Sequence, residues 1–173
     1  MGCAATGPAR TDTRKMGEKH TISCLVENHF GVLARVSGLI SARAFNIDSL
    51  TVSTTEDPTI SRMTIVVDAD ATKLEQVKSQ LNRLIDVIEV QELREGEFLD
   101  RELLLARVKI NGTTKADVEQ IARRFGAKLA DVKPDSVVIE AAGDTKALDQ
   151  LVEQLRCHGI TKLVRTGRVA LER

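Results

Sequence analysis

The stretch ENHFGVLARVSGL, residues 27–39, decides the fold because the periodicity of the sequence changes within it. The preceding TISCLVE (Thr21–Glu27) has apolar residues at alternate positions, which is typical of a β-strand. From Val32 onward the apolar residues fall on one face of a helix. These are Val32, Leu33, Val36, Leu39 and Ile40. The stretch therefore predicts a strand, a short turn over residues 28–31 and an amphipathic helix.

The same two periodicities continue to residue 93 and complete a β-α-β-β-α-β order. The predicted elements are a strand in NIDSLTVST (46–54), a strand in SRMTIVVDA (61–69), a helix in ATKLEQVKSQLNRLI (71–85) and a strand in DVIEVQEL (86–93). In the helix we expect Leu74, Val77, Leu81, Leu84 and Ile85 to face inward.

After the polar link REGE (94–97) the pattern repeats. The repeat has strands in LLLARVKI, AKLADVK, SVVIEAA and ITKLVRTG, and helices in TKADVEQIARRF and DTKALDQLVEQLRCHG. The sequence therefore predicts an α+β protein with two tandem ferredoxin-like domains, at residues 20–94 and 100–170. Residues 1–19 show no apolar periodicity and are expected to be a disordered leader. Each open sheet leaves a face and its edges without partners, so we expect at least a homodimer, formed through aliphatic sheet faces and edge strands.

Composition excludes several classes of function. Lys plus Arg equals Asp plus Glu, 25 against 25, so no global charge draws the chain to nucleic acid or to an anionic membrane. There is no long apolar run that could span a membrane. The three cysteines form no CxxC pair, which predicts a reducing, cytoplasmic compartment and no metal site.

The first six residues, MGCAAT, match the pattern for N-myristoylation at Gly2, with Cys3 beside it as a palmitoylation candidate. The alternative is a leader built from small and polar residues, and the sequence leaves both open.

Neither catalysis nor RNA binding is supported by the motifs. The sequence contains no HExxH, GxSxG or glycine-rich phosphate loop, which predicts no catalytic residues. RNA-recognition modules of this topology stack bases on aromatic strand residues. The two candidate strands, SRMTIVVD and SVVIEAA, contain no aromatic residue, and we expect their surfaces to be aliphatic and uncharged.

The turn at residues 28–31 is the candidate ligand site. A helix N-terminus presents unpaired N–H groups and a partial positive charge, which suit a carboxylate. Gly31 would let a ligand approach the backbone closely, and Asn28 offers both a donor and an acceptor to a zwitterion. The alternative is that Asn28 or Gly31 only caps the helix. In the second repeat the corresponding turn, NGTTKAD, predicts an ordinary cap at Thr113 or Thr114.

The run LVENHFGVLARVSGLISARAFNIDSLTVSTTEDPTISRMTIVV resembles the ACT domain of the small, regulatory subunits of acetolactate synthase, and the resemblance continues through LDRELLLARVK. It implies a subunit without chemistry of its own that binds and activates a large catalytic subunit. The enzyme complex is a transferase of branched-chain amino acid biosynthesis. Thiamine diphosphate, Mg²⁺ and FAD would belong to the catalytic partner. The implied effector is valine or a related branched-chain amino acid, which inhibits by feedback.

The resemblance also implies that two ACT domains pair and hold the effector between them. One chain would supply the loop at the start of the helix, and the other would close the site with Asn46 and Ile47. The loop residues are Asn28, His29, Phe30, Gly31, Val32 and Leu33. The family usually has Gly where this chain has Ala44, which predicts a different local geometry. A stand-alone amino-acid sensor acting on another enzyme or regulator is the alternative function.

Overall fold

The computed structural model describes residues 18–42, 45–112 and 114–173. The candidate lipidation site at Gly2 and Cys3, the predicted cap Thr113 and the unusual Ala44 lie outside these ranges. Two compact units divide the chain. Within the described residues, the first unit contains those up to Leu99 together with Gly167–Arg173, and the second contains Asp100–Thr166, described from 100 to 112 and from 114 onward.

The first unit has the predicted β-α-β-β-α-β order. Its elements are β1 (Glu18–Glu27), α1 (Val32–Ala42), β2 (Asn46–Thr54), β3 (Ile60–Ala69), α2 (Ala71–Leu81) and β4 (Val87–Leu93). The four strands form an antiparallel sheet in the order β2-β3-β1-β4, so β2 and β4 are its edges. Strand β1 includes Glu18 and Lys19, which lie in the range assigned to the leader, and Glu18 pairs opposite Ala69 of β3.

The second unit repeats this topology. Its elements are β5 (Phe98–Lys109), α3 (Thr114–Arg124), β6 (Lys128–Val132), β7 (Ser136–Gly143), α4 (Thr145–Arg156) and β8 (Ile160–Arg165). The sheet order β6-β7-β5-β8 matches that of the first unit strand for strand. The predicted α+β fold with two ferredoxin-like repeats is therefore confirmed.

Both helices of the first unit pack on one face of its sheet. Alternate residues of β1 and β3 meet one stripe from each helix in a continuous core. Its largest fully buried members include Ile22, Val36, Ile40, Met63, Ile65 and Leu81. The core places the N-terminus of α1 beside the end of β1, where the candidate site lies.

The other face of this sheet differs from the expectation. Because strand side chains alternate, Arg62, Thr64, Val66 and Asp68 point away from the helices. The expected aliphatic and uncharged surface on SRMTIVVD is therefore wrong. Thr64 is nevertheless buried, with 3% of its surface exposed.

Helix α2 ends four residues earlier than its apolar periodicity predicted. Asn82 is its C-cap, and both its backbone N–H and its side-chain amide donate to the carbonyl of Lys78. The chain then turns, which leaves Ile85 90% exposed, whereas Leu84 still packs against the core. The expectation that Ile85 faces inward is wrong.

The last residues, Gly167–Arg173, are grouped with the first unit. A ninth strand, β9 (Val169–Glu172), pairs with β5, whose first two residues belong to the first unit. Arg168 donates from Nη1 to the hydroxyl of Thr21 at 2.7 Å. A Cβ on Gly167 would lie 3.0 Å from the Cβ of Ser49.

We predict that Leu81→Ala lowers the free energy of unfolding of the first unit far more than Ile85→Ala does, although the two residues are only four positions apart. Leu81 is fully buried, so its truncation should lower the free energy of unfolding of the first unit by about 2–5 kcal/mol. Ile85→Ala should change it by about 0.5 kcal/mol or less. Denaturant unfolding monitored by circular dichroism measures both. Similar losses in the two variants would contradict the observed end of α2.

We predict that Gly167→Ala destabilises the first unit more than Gly96→Ala does. Both glycines have positive φ, +85° and +92°, so both variants incur the same kind of backbone strain. Only Gly167 has atoms within 4 Å of the added methyl group, and that overpacking should cost about 1–3 kcal/mol more. Equal losses in denaturant unfolding would show that the C-terminal segment does not lie against Ser49.

Candidate functional site

The loop that leads into α1 is fastened to two turns at the same end of the sheet. The N–H of Glu27 donates to the carbonyl of Asp86 at 2.9 Å, and the N–H of Asn28 donates to the carbonyl of Thr59 at 2.7 Å. The side-chain amide of Asn28 donates to the carbonyl of Pro58 at 2.8 Å. These bonds tie residues 27–28 to the turns before β3 and β4.

The anchoring turn before β3 has its own hydrogen bonds. The carboxylate of Asp57 accepts from the side-chain hydroxyl of Thr59 at 2.6 Å and from its backbone N–H at 2.8 Å. These two bonds hold the pKa of the Asp57 carboxyl below its usual value. These two bonds stabilise the turn that carries the Pro58 and Thr59 carbonyls.

Gly31 forms the mouth of α1. Its φ of +88° is a left-handed conformation that side chains rarely adopt, which explains a glycine here. The first hydrogen bond of the helix runs from the N–H of Arg35 to the carbonyl of Gly31 at 3.0 Å. The amides of Val32, Leu33 and Ala34 therefore have no partner within the helix and are oriented toward its N-terminal end.

A charged cluster of Glu27, His29, Arg35 and Asp86, which the sequence did not predict, borders this mouth. Arg35 pairs through Nη1 with the carboxylate of Asp86, whose side chain is 6% exposed. The imidazole Nε2 of His29 lies 3.0 Å from Asp86 Oδ1 and 3.2 Å from Glu27 Oε2. A Cβ on Gly31 would lie 3.6 Å from Arg35 Nη2. The cluster therefore places a guanidinium beside the helix mouth.

The predicted site residues of the loop have different roles. Asn28 donates one of its two amide N–H groups to the Pro58 carbonyl, and its side-chain carbonyl oxygen is the acceptor that a ligand ammonium would need. The side chain of Val32 is buried in the core, so this residue can offer only its backbone. Phe30 is fully exposed and Leu33 is 46% exposed, and both supply apolar surface at the mouth.

Asn46 and Ile47 do not join the loop within one chain. Ile60 of β3 lies opposite Glu27, whereas Asp68 lies opposite Asn46, and these two β3 positions are eight residues apart. At about 3.3 Å per residue the separation is roughly 26 Å. The predicted set can therefore converge only if a second copy of the chain supplies Asn46 and Ile47.

In the second unit, the described residues at the start of α3 form a cap. Asn111 and Thr114 bond reciprocally, with Thr114 N–H donating to Asn111 Oδ1 at 2.9 Å and Asn111 N–H donating to Thr114 Oγ1 at 2.8 Å. Both side chains thus serve the start of α3, as in a cap. The capping acceptor is therefore Asn111, so the predicted cap at Thr114 is wrong, and the Thr114 hydroxyl instead returns a bond to the Asn111 N–H.

The thiols of the described residues offer no reactive site in the core. Neither Cys24 nor Cys157 forms a disulfide, and Cys24 lies in the first core. Burial raises the pKa of the Cys24 thiol to about 12, so it stays protonated at neutral pH. Among the described residues, we find no helix with the length and apolar character needed to cross a membrane.

Two family patterns match the chain. The family described as "AHAS small subunit-like ACT domain" matches residues 22–89, and the family described as "Small subunit of acetolactate synthase" matches residues 101–173. Together they cover both units.

Individual relatives agree with the family matches. A probable acetolactate synthase small subunit from Archaeoglobus fulgidus is 47% identical over 155 residues, covering 90% of this chain and 97% of the relative. The acetolactate synthase small subunit of Mycolicibacterium smegmatis is 44% identical, covering 89% and 91%. The crystal structure of the small subunit from Thermotoga maritima aligns with a TM-score of 0.83 at 31% identity, covering 90% of this chain and 98% of that one.

We predict that Asn28→Asp destabilises the first unit more than Asn28→Ala does. The alanine variant loses the hydrogen bond to Pro58, worth about 0.5–1.5 kcal/mol. The aspartate variant also places a carboxylate oxygen against the Pro58 carbonyl oxygen. Both oxygens are acceptors, so they repel each other and form no hydrogen bond. Denaturant unfolding of the two variants gives the comparison. An aspartate variant as stable as the alanine variant would rule out a structural role for the Asn28 donor.

Proposed function

This chain belongs to the family of acetolactate synthase small subunits, and from that premise we propose that it binds the large catalytic subunit, activates it and confers feedback inhibition by valine or a related branched-chain amino acid. The catalytic subunit would carry thiamine diphosphate, Mg²⁺ and FAD, and this chain would need no cofactor. The observation that carries the proposal is the mouth of α1, where helix amides and the Arg35 guanidinium face the same small space.

The mouth suits the two charged ends of an amino acid. A carboxylate would be stabilised by the amides of Val32 and Leu33, by the helix dipole and by Arg35. The ammonium group would find acceptors in the Asn28 carbonyl oxygen and in the carboxylate of Glu27, which is exposed. A zwitterion thus meets donors at one end of the site and acceptors at the other.

The apolar part of the ligand would be covered by a second copy. Phe30 and Leu33 expose apolar surface at the mouth, and burying an isopropyl group is worth roughly 1.5–3 kcal/mol. That gain is enough to favour valine over glycine or alanine. Leucine and isoleucine remain related candidates, since the apolar contact is not directional.

The edge strand β2 offers the geometry for a homodimer. If two copies pair antiparallel along β2, Asn46 and Ile47 of one copy lie beside Thr54 of the other. Thr54 stands opposite Ser61, next to the Ile60 that pairs with Glu27. A two-fold pairing of this edge would therefore bring the predicted residues to the partner's α1 mouth, twice in each dimer.

Regulation would follow from this placement. An effector that binds between two copies favours one arrangement of the pair, and that arrangement must couple differently to the catalytic subunit. The effector would not need to reach the reacting atoms. In the cytoplasm, where we expect this chain to act, the concentration of the amino acid would set the population of each arrangement.

We predict that Gly31→Asp abolishes valine inhibition while activation of the catalytic subunit persists. The new carboxylate would lie within reach of Arg35 and would occupy the place of the valine carboxylate. Reconstituted acetolactate synthase assayed with and without valine measures both properties. Gly96→Asp is the control, because it makes the same change at a φ of +92° with no atoms within 4 Å.

The control variant should keep both activation and inhibition. Full valine sensitivity in Gly31→Asp would disprove the site assignment. A wild-type chain that does not change the activity of any catalytic subunit would disprove the proposed role itself.

A further inference from the structure

We propose that Glu27, His29 and Asp86 form a binding site for a divalent transition-metal ion at the mouth of α1. The sequence predicted no metal site, because these residues form no closely spaced cysteine or histidine motif. The fold brings these three residues together from the end of β1, the following loop and the turn before β4.

The spacing of the three donor atoms suits a small ion. His29 Nε2 lies 3.0 Å from Asp86 Oδ1 and 3.2 Å from Glu27 Oε2, and all three atoms lie within 4.8 Å of one another. In a tetrahedral zinc site with bonds of about 2.0–2.2 Å, neighbouring ligand atoms are about 3.3 Å apart. The two distances from His29 Nε2 are within a few tenths of an ångström of this spacing, and the exposed Glu27 side chain can move to set the distance between the two carboxylate oxygens.

The other nitrogen of the ring indicates that a cation belongs at Nε2. His29 Nδ1 lies 3.2 Å from the carbonyl oxygen of Phe30, which can only accept, so this contact assigns the proton to Nδ1. In the neutral ring Nε2 then carries a lone pair, and this lone pair faces two carboxylate oxygens. The arrangement is repulsive unless a proton or a metal ion lies between them.

The surroundings resemble those of a metal-binding histidine. Histidine ligands commonly donate their second ring N–H to a backbone carbonyl, and ligating carboxylates are themselves hydrogen-bonded. His29 has the Phe30 carbonyl, and Asp86 is held by Arg35 on its other oxygen. Asp86 is buried, so one ligand is fixed before the ion arrives.

The charge and exposure of the site define the ion that it would take. With a neutral imidazole, the two carboxylates and Arg35 sum to one negative charge, which favours a cation. One nitrogen and two oxygen donors suit Zn²⁺, Co²⁺ or Mn²⁺. Glu27 and His29 have side chains that are 57% and 44% exposed, so the ion would reach the site from solvent and water would complete its coordination.

Titration of the full chain with Zn²⁺ by calorimetry, and with Co²⁺ by visible absorption, tests the proposal at pH 7.5. Cys3 and the exposed Cys157 should be replaced by serine in all samples, because accessible thiols bind these ions. We expect one ion per chain at this site. Loss of a residue that only orients a metal ligand weakens metal binding by roughly 10–100-fold. His29→Gln and Glu27→Gln each remove a ligand itself, so each should weaken binding by at least that much.

His158→Gln is the matched control, since it removes a histidine of the second unit, and it should leave the affinity unchanged. Circular dichroism of each variant verifies that it is folded. Because Glu27 is exposed, Glu27→Gln changes no buried residue and should fold like the wild-type chain. Retained binding in His29→Gln would overturn the proposal. So would a wild-type chain that binds neither ion. Both results concern metal binding alone, and the valine assay of Gly31→Asp tests the proposed function separately.

Discussion

Three hydrogen bonds at one end of the first sheet hold the start of α1, and the candidate site depends on them. They run from the N–H groups of Glu27 and Asn28, and from the Asn28 side-chain amide, to carbonyls of two turns. Each contributes only about 0.5–1.5 kcal/mol. Together they fix the loop so that Gly31 can adopt its left-handed conformation and the first helix amides stay available. A ligand that binds there meets donors that need no rearrangement.

The register of the first sheet is the second constraint. It separates Asn46 from the loop within a chain, so a site that uses both must be shared between copies. A shared site would suit the proposed effector regulation, because binding of a ligand that contacts two copies depends on their arrangement. The charged cluster of Glu27, His29, Arg35 and Asp86 lies at the same mouth. Any ion or proton it takes up would alter the electrostatic potential that a bound carboxylate experiences.

The sequence predicted what depends on local patterns and missed what depends on distant contacts. Strand β2 was predicted with its observed bounds, Asn46–Thr54, because its alternation is flanked by clear breaks. The end of α2 was placed too late, since periodicity continued to Ile85 while Asn82 had already capped the helix. The strand Val169–Glu172 is too short to carry a signal of its own. Asp86 escaped notice because it is 51 residues from Arg35, and only the sheet joins them.

The central claim is that the mouth of α1, closed by the β2 edge of a second copy, binds a branched-chain amino acid. A crystal structure of the chain grown in excess valine tests it most directly. The account predicts valine with its carboxylate against the amides of Val32 and Leu33, and with Asn46 and Ile47 of the neighbouring copy over its side chain. An empty mouth at saturating valine, or valine bound elsewhere on the chain, would contradict it.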